Sequence, residues 1–358
     1  MSKSSSQDEE ITCCFVGGGF SLIERLSPKC SPRHVVDPYL SSDTQEFDLI
    51  CPILGNSSYL WDIFPSYDIF KVNEYGNILA QITNNEVYDA EAVISPDGKK
   101  ILYTSREKGD LDIYIMELDG SNKKQLTNIT GYDGGGSFSP DSNKIVFRAS
   151  RPKTAKEVNT YTHLLQYDLV ATSEMELYVM NADGTDQRPI FNKPLGNASW
   201  APSYHPDNKR IIFSSNFNST CTSDFNLYIV NEDGTGLEQV TYNEGHFDAF
   251  PVFSHDGKSL VWSSTRGSAD SRQINVFIAD WVDPGQSAND ENDAKEEIRT
   301  NRVPKRLTEE FNSQKNETHW QDTTTTAYDN VVHFEGERHF KNVKQLTFRG
   351  QNAEGYFR

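Results

Sequence analysis

The chain has 358 residues, of which 52 are acidic and 34 basic, giving a formal net charge of −18 at pH 7. This charge argues against a nucleic-acid-binding surface, because phosphate binding needs a net basic face. Aromatic residues make up 11% of the chain, which argues against a wholly disordered protein. No apolar stretch approaches the roughly 18 residues of a membrane-spanning helix, and no secretory signal peptide is visible.

Residues 1–10 are polar and are predicted to be disordered. The next segment, ITCCFVGGGFSLIERL, resembles a degenerate β-hairpin in which GGG replaces the usual turn residues. A long excursion follows, so residues 11–66 are predicted to hold one degenerate structural unit. The five cysteines of the chain lack CxxC spacing and predict neither a zinc site nor a disulfide framework.

Residues 67–281 contain an internal repeat. Four segments share one pattern: YDAEAVISPDGKKILYTS, YDGGGSFSPDSNKIVFRAS, NASWAPSYHPDNKRIIFSS and FDAFPVFSHDGKSLVWSS. Each is followed by a second element, such as LDIYIMELDGSNKKQLT. Apolar residues at every second position predict half-buried strands, and Pro-Asp-Gly and Asp-Gly predict tight hairpin turns. The repeat is therefore four antiparallel strands in about 44 residues, which matches one blade of a β-propeller.

The SPDGKK…IYxMNxDG…QLT unit resembles the WD40-like, or PD40, repeat of TolB-like six-bladed β-propellers. The resemblance implies an all-β propeller, most simply with six blades of which one is irregular or incomplete. Such proteins include scaffolds for other proteins, metal-dependent lyases and the regulatory propellers of hydrolases. The resemblance therefore implies a fold and leaves the activity open.

Two segments follow the repeats. Residues 282–330 are acidic and of low complexity, and they are predicted to form a linker. Residues 331–358 include FKNVKQLTFRGQNAEGYFR, which resembles the start of a first blade. This order allows two interpretations: the segment closes the ring by completing a blade, or the sequence is a fragment that stops within another module.

Neither the motifs nor the histidines identify an active site. No G-x-S-x-G elbow, HExxH, P-loop or strand-borne GxGxxG is present. The TolB-like lyases use clustered histidines, but the repeat places only His246 just before an innermost strand, and a catalytic metal needs about three protein ligands. His205 and His255 replace turn residues and are predicted to be exposed. The glycines of GYDGGG predict close packing between blades rather than phosphate binding.

Acidic residues give the strongest site hypothesis. Asp89, Asp133 and Asp248 each precede a hairpin turn by six residues, and Asn197 takes the corresponding place in the third copy. Stacking of repeats around an axis would bring these side chains together at one mouth of the channel, with Glu91 beside Asp89 by strand period. Two interpretations remain: each Asp caps its own strand, or the ring binds Ca²⁺ or a basic side chain.

An insertion at about residues 152–174 interrupts the second repeat. Its apolar residues recur at helical spacing, at Val158, Tyr161, Leu164, Leu165 and Leu169, which predicts a short helix over one face of the ring. Taken together, the sequence predicts a monomeric, non-catalytic propeller that binds a protein or basic peptide through its channel mouth and face loops. The predicted binding residues are Asp89, Glu91, Asp133, Asn197, His246 and Asp248, with Ca²⁺ as the expected cofactor at the three aspartates. A propeller lyase, or a regulatory propeller of a separately encoded hydrolase or peptidase, is the alternative.

Overall fold

The computed structural model describes residues 12–15 (backbone only), 60–73, 77–171, 174–196, 198–219, 224–243, 245, 247–267, 273–283 and 333–348. The first sheet, sheet 1, joins distant parts of the chain. It contains β1 (Thr12–Phe15), β3 (Ile69–Val72) and β4 (Ile78–Gln81) in the order β1-β3-β4, with antiparallel pairing throughout. The TCCF segment therefore lies beside IFKV. The short strand β2 (Leu60–Asp62) lies between β1 and β3 in the chain but belongs to another sheet.

The four repeat copies form four antiparallel sheets of four strands each, and we number these blades 2 to 5. Blade 2 consists of β5 (Asp89–Ile94), β6 (Lys100–Ser105), β7 (Asp112–Glu117) and β8 (Lys124–Gln125). Blade 3 consists of β9 (Tyr132–Phe138), β10 (Lys144–Ser150), β12 (Glu176–Asn181) and β13 (Arg188–Pro189). Blade 4 consists of β14 (Ser199–Tyr204), β15 (Arg210–Ser215), β16 (Asn226–Asn231) and β17 (Glu238–Gln239). Blade 5 consists of β18 (Asp248–Phe253), β19 (Ser259–Ser264), β20 (Asn275–Trp281) and β21 (Phe340–Gln345).

The hairpin turns of the repeats are built by their own side chains. In blade 2 the Ser95 hydroxyl donates to Asp97 Oδ1 at 2.6 Å and accepts the backbone N–H of Lys100 at 2.9 Å. Gly98 ends the turn at φ +69°, a conformation that side chains disfavour. These turns lie where each innermost strand ends, and we call that side the turn face. The opposite side, where each innermost strand begins, is the loop face.

Neighbouring sheets pack side by side through apolar clusters. Between blades 4 and 5, for example, Ile212 and Leu227 share a buried cluster with Trp262, Phe277 and Phe340. Burial of each such large apolar side chain contributes roughly 1.5–3 kcal/mol to the stability of the folded state. The repeated sheets are therefore held by their neighbours, as expected for consecutive blades of a β-propeller. No helix in the described residues is both long and apolar enough to cross a membrane.

The insertion forms a helix, as predicted, and then a short strand. The helix α1 (Ala155–Leu165) begins with a capping box in which Thr154 and Glu157 exchange side-chain and backbone hydrogen bonds. Leu169 does not continue the helical face, because it begins β11 (Leu169–Ala171). The strand β11 pairs antiparallel with β2, so the insertion and the excursion form one two-stranded sheet.

The C-terminal segment has a different place from the one that its sequence suggested. It resembles the start of a first blade, but β21 pairs with β20 as the outer strand of blade 5. Thr347 confirms the equivalence, because its hydroxyl accepts the Val276 N–H at 2.9 Å, just as Thr127 accepts Ile113 N–H in blade 2. The KQLT of the tail thus replaces the outer strand that the INVFIADW copy lacks.

Candidate functional site

The loop face begins with a repeated backbone pattern. One residue at or next to the start of each innermost strand donates its N–H, at 2.9 Å, to a carbonyl that lies just before a strand of the preceding sheet. The donors are Asp89, Asp133, Ser199 and Asp248, and their acceptors are Tyr67, Leu111, Met175 and Phe225. Two residues later the strand bulges at a residue with positive φ: Glu91, Gly135, Ala201 and Phe250. The repeat therefore places these residues at the same level in successive blades.

The three predicted aspartates occupy this level, but all three are buried. Asp89 is 1% exposed, and Asp133 and Asp248 are 0% exposed. Asp133 accepts two hydrogen bonds from Arg151, at 2.9 and 2.7 Å. Asp248 is paired with Arg266 at 2.9 Å. Two of the three carboxylates are thus neutralised by an arginine of their own blade.

Two further predicted binding residues, Asn197 and His246, are not among the residues that the structure describes. Ser199 takes the first strand position that the repeat alignment had assigned to Asn197. No group of three His, Cys, Asp or Glu side chains in the described part of the chain is placed to hold a metal ion. The Ca²⁺ site stays a prediction.

Glu91 is the centre of a buried polar network between blades 2 and 3. Its Oε2 accepts hydrogen bonds from Thr104 at 2.7 Å, Tyr132 at 2.9 Å and the backbone N–H of Gly135 at 2.8 Å. Its Oε1 accepts a hydrogen bond from Arg148. A Cβ on Gly135 would lie 2.7 Å from the Arg148 guanidinium, so the glycine-rich strand is needed for this close packing.

An aromatic cluster and the insertion cover the beginnings of the innermost strands. Trp61 in β2 lies 5.4 Å from Trp200 and 6.2 Å from Tyr132, measured between ring centroids, and 4.7 Å from the Arg148 guanidinium carbon. The buried faces of α1 and β11 join the same cluster. The beginnings of the innermost strands are therefore covered by Trp61 and the insertion. The sequence predicted the helix of the insertion over one face, but not its contacts with Trp61.

Polar contacts fix the insertion to blade 2. Arg106 donates to Asp168 at 2.5 Å and to the Leu165 carbonyl at 2.8 Å. The Tyr161 hydroxyl donates to Asp110 at 2.5 Å. All these contacts involve the loop after β6, so blade 2 carries most of the polar attachment of the insertion.

Beside this attachment lies a concave site of about 410 Å³ on the loop face. Ile63, Pro65, Val87 and Tyr88 supply apolar surface, and Glu86, Glu107 and Asp168 supply carboxylates beside Arg106 and Gly109. Arg106 is already paired with Asp168, which leaves Glu86 and Glu107 as the excess charge. A concave surface with apolar walls and excess negative charge suits a basic side chain with an aliphatic stem.

The described histidines are scattered. His255 is exposed, as predicted, but His205 is 6% exposed, because its ring packs edge-on against Phe253 at 4.5 Å. His339 stacks on Trp281 at 4.4 Å and attaches the C-terminal segment to blade 5. His34 and His319, like His246, lie outside the described residues.

Asp112 is a buried acid that the sequence did not single out. It accepts hydrogen bonds from Thr127 at 2.9 Å and Gln125 at 2.8 Å, yet burial, with a smaller contribution from the carboxylates of Asp110 and Asp133, raises its pKa from 3.8 to about 7. Blades 4 and 5 place the neutral residues Asn226 and Asn275 at the same register. The sequence signal was therefore available in the change from an acidic residue in blades 2 and 3 to Asn in blades 4 and 5.

We expect the substitution Asp112→Asn to stabilise the protein above pH 7. The folded state holds the Asp112 proton more tightly than the unfolded chain does, so the native protein loses stability as pH rises from about 4 to 7. The variant avoids this loss and should gain roughly 1–4 kcal/mol at pH 8, with no gain near pH 4. Gln125 would then need to rotate, as Gln239 of blade 4 does when it donates to the Thr241 carbonyl.

Urea unfolding between pH 4 and pH 8 measures the difference. The reverse variant Asn226→Asp, made in blade 4, is the matched control and should acquire the pH dependence that Asp112→Asn loses. Parallel curves for the native protein and Asp112→Asn would contradict the assignment.

Comparison with known proteins gives a similarity of fold only. No protein-family model and no curated protein matches the chain. Among solved structures it is similar to TolB from Acinetobacter baumannii, at 22% identity and a TM-score of 0.48, over 62% of this chain and 49% of that one. A TolB-type protein from Agrobacterium tumefaciens is similar at 19% identity and a TM-score of 0.46, over 63% and 73% of the two chains.

An oligogalacturonate lyase in complex with manganese is also similar, at 19% identity and a TM-score of 0.42, over 60% of this chain and 56% of the lyase. The chain matches about half of the Acinetobacter protein's length. At these values the similarities carry no argument about activity. The class of protein follows from the chain itself, because consecutive four-stranded antiparallel sheets packed side by side are the blades of a β-propeller.

Proposed function

We propose that the chain is a monomeric, six-bladed, non-catalytic propeller scaffold that binds a basic segment of a partner protein on its loop face. The observation that carries the proposal is the concave site bounded by residues 63–65, 86–88 and 106–109 together with Asp168. The repeat does not need these residues for its strands, because they lie in the connections and in the insertion. Loops on a rigid scaffold are common binding sites.

The charge of the site supports a basic partner. Glu86 is exposed at its rim, Glu107 is exposed beside it, and the whole chain carries an excess of acidic residues. Apolar surface from Ile63 and Tyr88 adds contact area for an aliphatic stem. Electrostatic attraction over this face would speed association and would weaken with added salt.

We expect a fluorescein-labelled peptide of alternating lysine and leucine to bind the native chain and to bind Glu86→Lys roughly tenfold more weakly at low salt. Fluorescence anisotropy measures both affinities. Asp186→Lys is the matched control, because Asp186 is exposed but lies in the turn between β12 and β13 on the turn face. An equal loss of affinity in both variants would show that only the net charge of the chain matters. Absence of binding to the native chain would contradict the proposal.

A further inference from the structure

One position in the loop after the second strand holds a different type of side chain in different blades. It lies two residues after the strand residue that pairs with Asp89, Asp133, Ser199 or Asp248. The registers are Asp89↔Ser105, Asp133↔Ala149, Ser199↔Ser215 and Asp248↔Ser264. In blades 2, 4 and 5 its N–H donates to the hydroxyl of the facing serine at 3.0–3.1 Å. The residues at this position are Glu107, Arg151, Phe217 and Arg266.

In blades 3 and 5 this residue is an arginine that completes the blade. The Arg151 guanidinium pairs with Asp133 and lies 4.4 Å from the ring of Tyr178. The Arg266 guanidinium pairs with Asp248 and lies 4.9 Å from the ring of Trp262. Blades 3 and 5 therefore each hold a guanidinium between the buried aspartate and a pair of aromatic rings, one from the second and one from the third strand of the blade.

Blade 4 satisfies the same position without charge. Ser199 replaces the aspartate, and Phe217 packs its ring 5.9 Å from that of Tyr228. The Tyr228 hydroxyl donates to the Phe217 carbonyl at 2.6 Å. An arginine thus accompanies an aspartate, and a phenylalanine accompanies a serine.

Blade 2 has the aspartate and the aromatic pair but no arginine. Asp89, Tyr103 and Tyr114 are each at most 2% exposed, and the two tyrosine rings are tilted against each other with centroids 5.7 Å apart. Asp89 Oδ1, Tyr103 Oη and Tyr114 Oη have no hydrogen-bond partner in the described structure. The residue at the arginine position is Glu107, which adds a second carboxylate. The other Asp89 oxygen accepts the Asn85 amide at 2.8 Å, so Oδ1 and the two phenol oxygens are the atoms that a further donor group would satisfy.

We propose that this position in blade 2 is a subsite for the guanidinium group of an arginine side chain of the partner. A guanidinium carries five N–H donors in a plane, which suits one carboxylate oxygen, two phenol oxygens and the exposed carboxylate of Glu107. Glu107 also borders the concave site, which would admit the side chain. The inference rests on the proposed function and names the side chain that the basic segment supplies.

The test uses three labelled peptides that differ at one residue: arginine, its neutral isostere citrulline, or lysine. The native chain should bind the arginine peptide at least roughly tenfold more tightly than the citrulline peptide, because charged hydrogen bonds to a buried carboxylate are strong. The variant Glu107→Arg supplies the guanidinium from the chain itself and should abolish this preference while raising Tm. Glu107→Gln, which adds no guanidinium, should weaken the preference and leave Tm nearly unchanged.

Equal binding of the arginine and citrulline peptides to the native chain would overturn the subsite. So would a Glu107→Arg variant with lowered Tm, since a guanidinium would then have no room beside Asp89. If the lysine and arginine peptides bind equally and more tightly than citrulline, the acidic loop face stands as a site for basic segments but the guanidinium subsite is wrong. If none of the three binds, the proposed function fails as well.

Discussion

Truncation of the chain after Asp283 is expected to lower the free energy of unfolding by roughly 5 kcal/mol or more and to cause aggregation. The truncation removes β21, whose residues Phe340 and Val343 are buried in blade 5. The Phe340 ring stacks on Trp262 at 4.7 Å, so its loss exposes one of the largest fully buried side chains. It also leaves β20 as an unprotected edge strand.

Urea unfolding and light scattering measure the effect, and substitutions within β21 control for chain length. Phe340→Ala should be destabilising by about 3–5 kcal/mol, because a large core side chain leaves a cavity. Lys344→Ala on the same strand is the matched control and should change little, because Lys344 is exposed. A monomeric truncated chain with native Tm would show that blade 5 does not depend on the C-terminal segment.

The substitution Arg266→Met is expected to cost about 3–5 kcal/mol at pH 7. Arg266 is 0% exposed and donates to Asp248 and to Glu337, each at 2.9 Å, so it joins the innermost strand of blade 5 to the segment before β21. Methionine keeps the volume but leaves two carboxylates buried without their cation. Burial already raises the pKa of Glu337 against the opposing effect of Arg266.

The matched control is Arg188→Met, since Arg188 pairs with Glu232 at 2.7 Å while its side chain is 38% exposed. Exposed pairs contribute about 0–1 kcal/mol, so the control should lose little. The loss in Arg266→Met should shrink toward pH 4, where the unpaired and buried Glu337, whose pKa burial raises, becomes protonated in the folded state. Equal losses in both variants at pH 7 would contradict a special role for the buried ion pairs.

Strands and turns could be predicted from the sequence because each repeat carries its own signals. Runs of Ile, Tyr and Met define strands such as β7, and Ser-Pro-Asp-Gly defines the turn at residues 95–98 through side-chain hydrogen bonds. The pairing of β21 with β20 was not predictable in the same way, because the QLT pattern does not specify which sheet it joins. That choice depends on long-range contacts such as Glu337 with Arg266.

The level of the aspartates was predictable, but their partners were not. Repeat alignment located Asp133 and Asp248 at equivalent positions, yet whether such residues face solvent or an arginine depends on the loop after the second strand. Trp61 lies in a segment without repeat character, so its place over Arg148 had no sequence signal. The contrast between Glu107 and Arg151 was visible in the sequence and needed the strand registers to be interpreted.

Hydrogen exchange of the native chain with and without the arginine peptide tests the proposed binding site most directly. Backbone amides of residues 86–88 and 106–109, which border the concave site, should exchange more slowly in the complex. The turns at residues 95–98 and 139–142 on the turn face should be unchanged. Slower exchange confined to the turn face, or no change at residues 106–109 under saturating peptide, would contradict binding on the loop face.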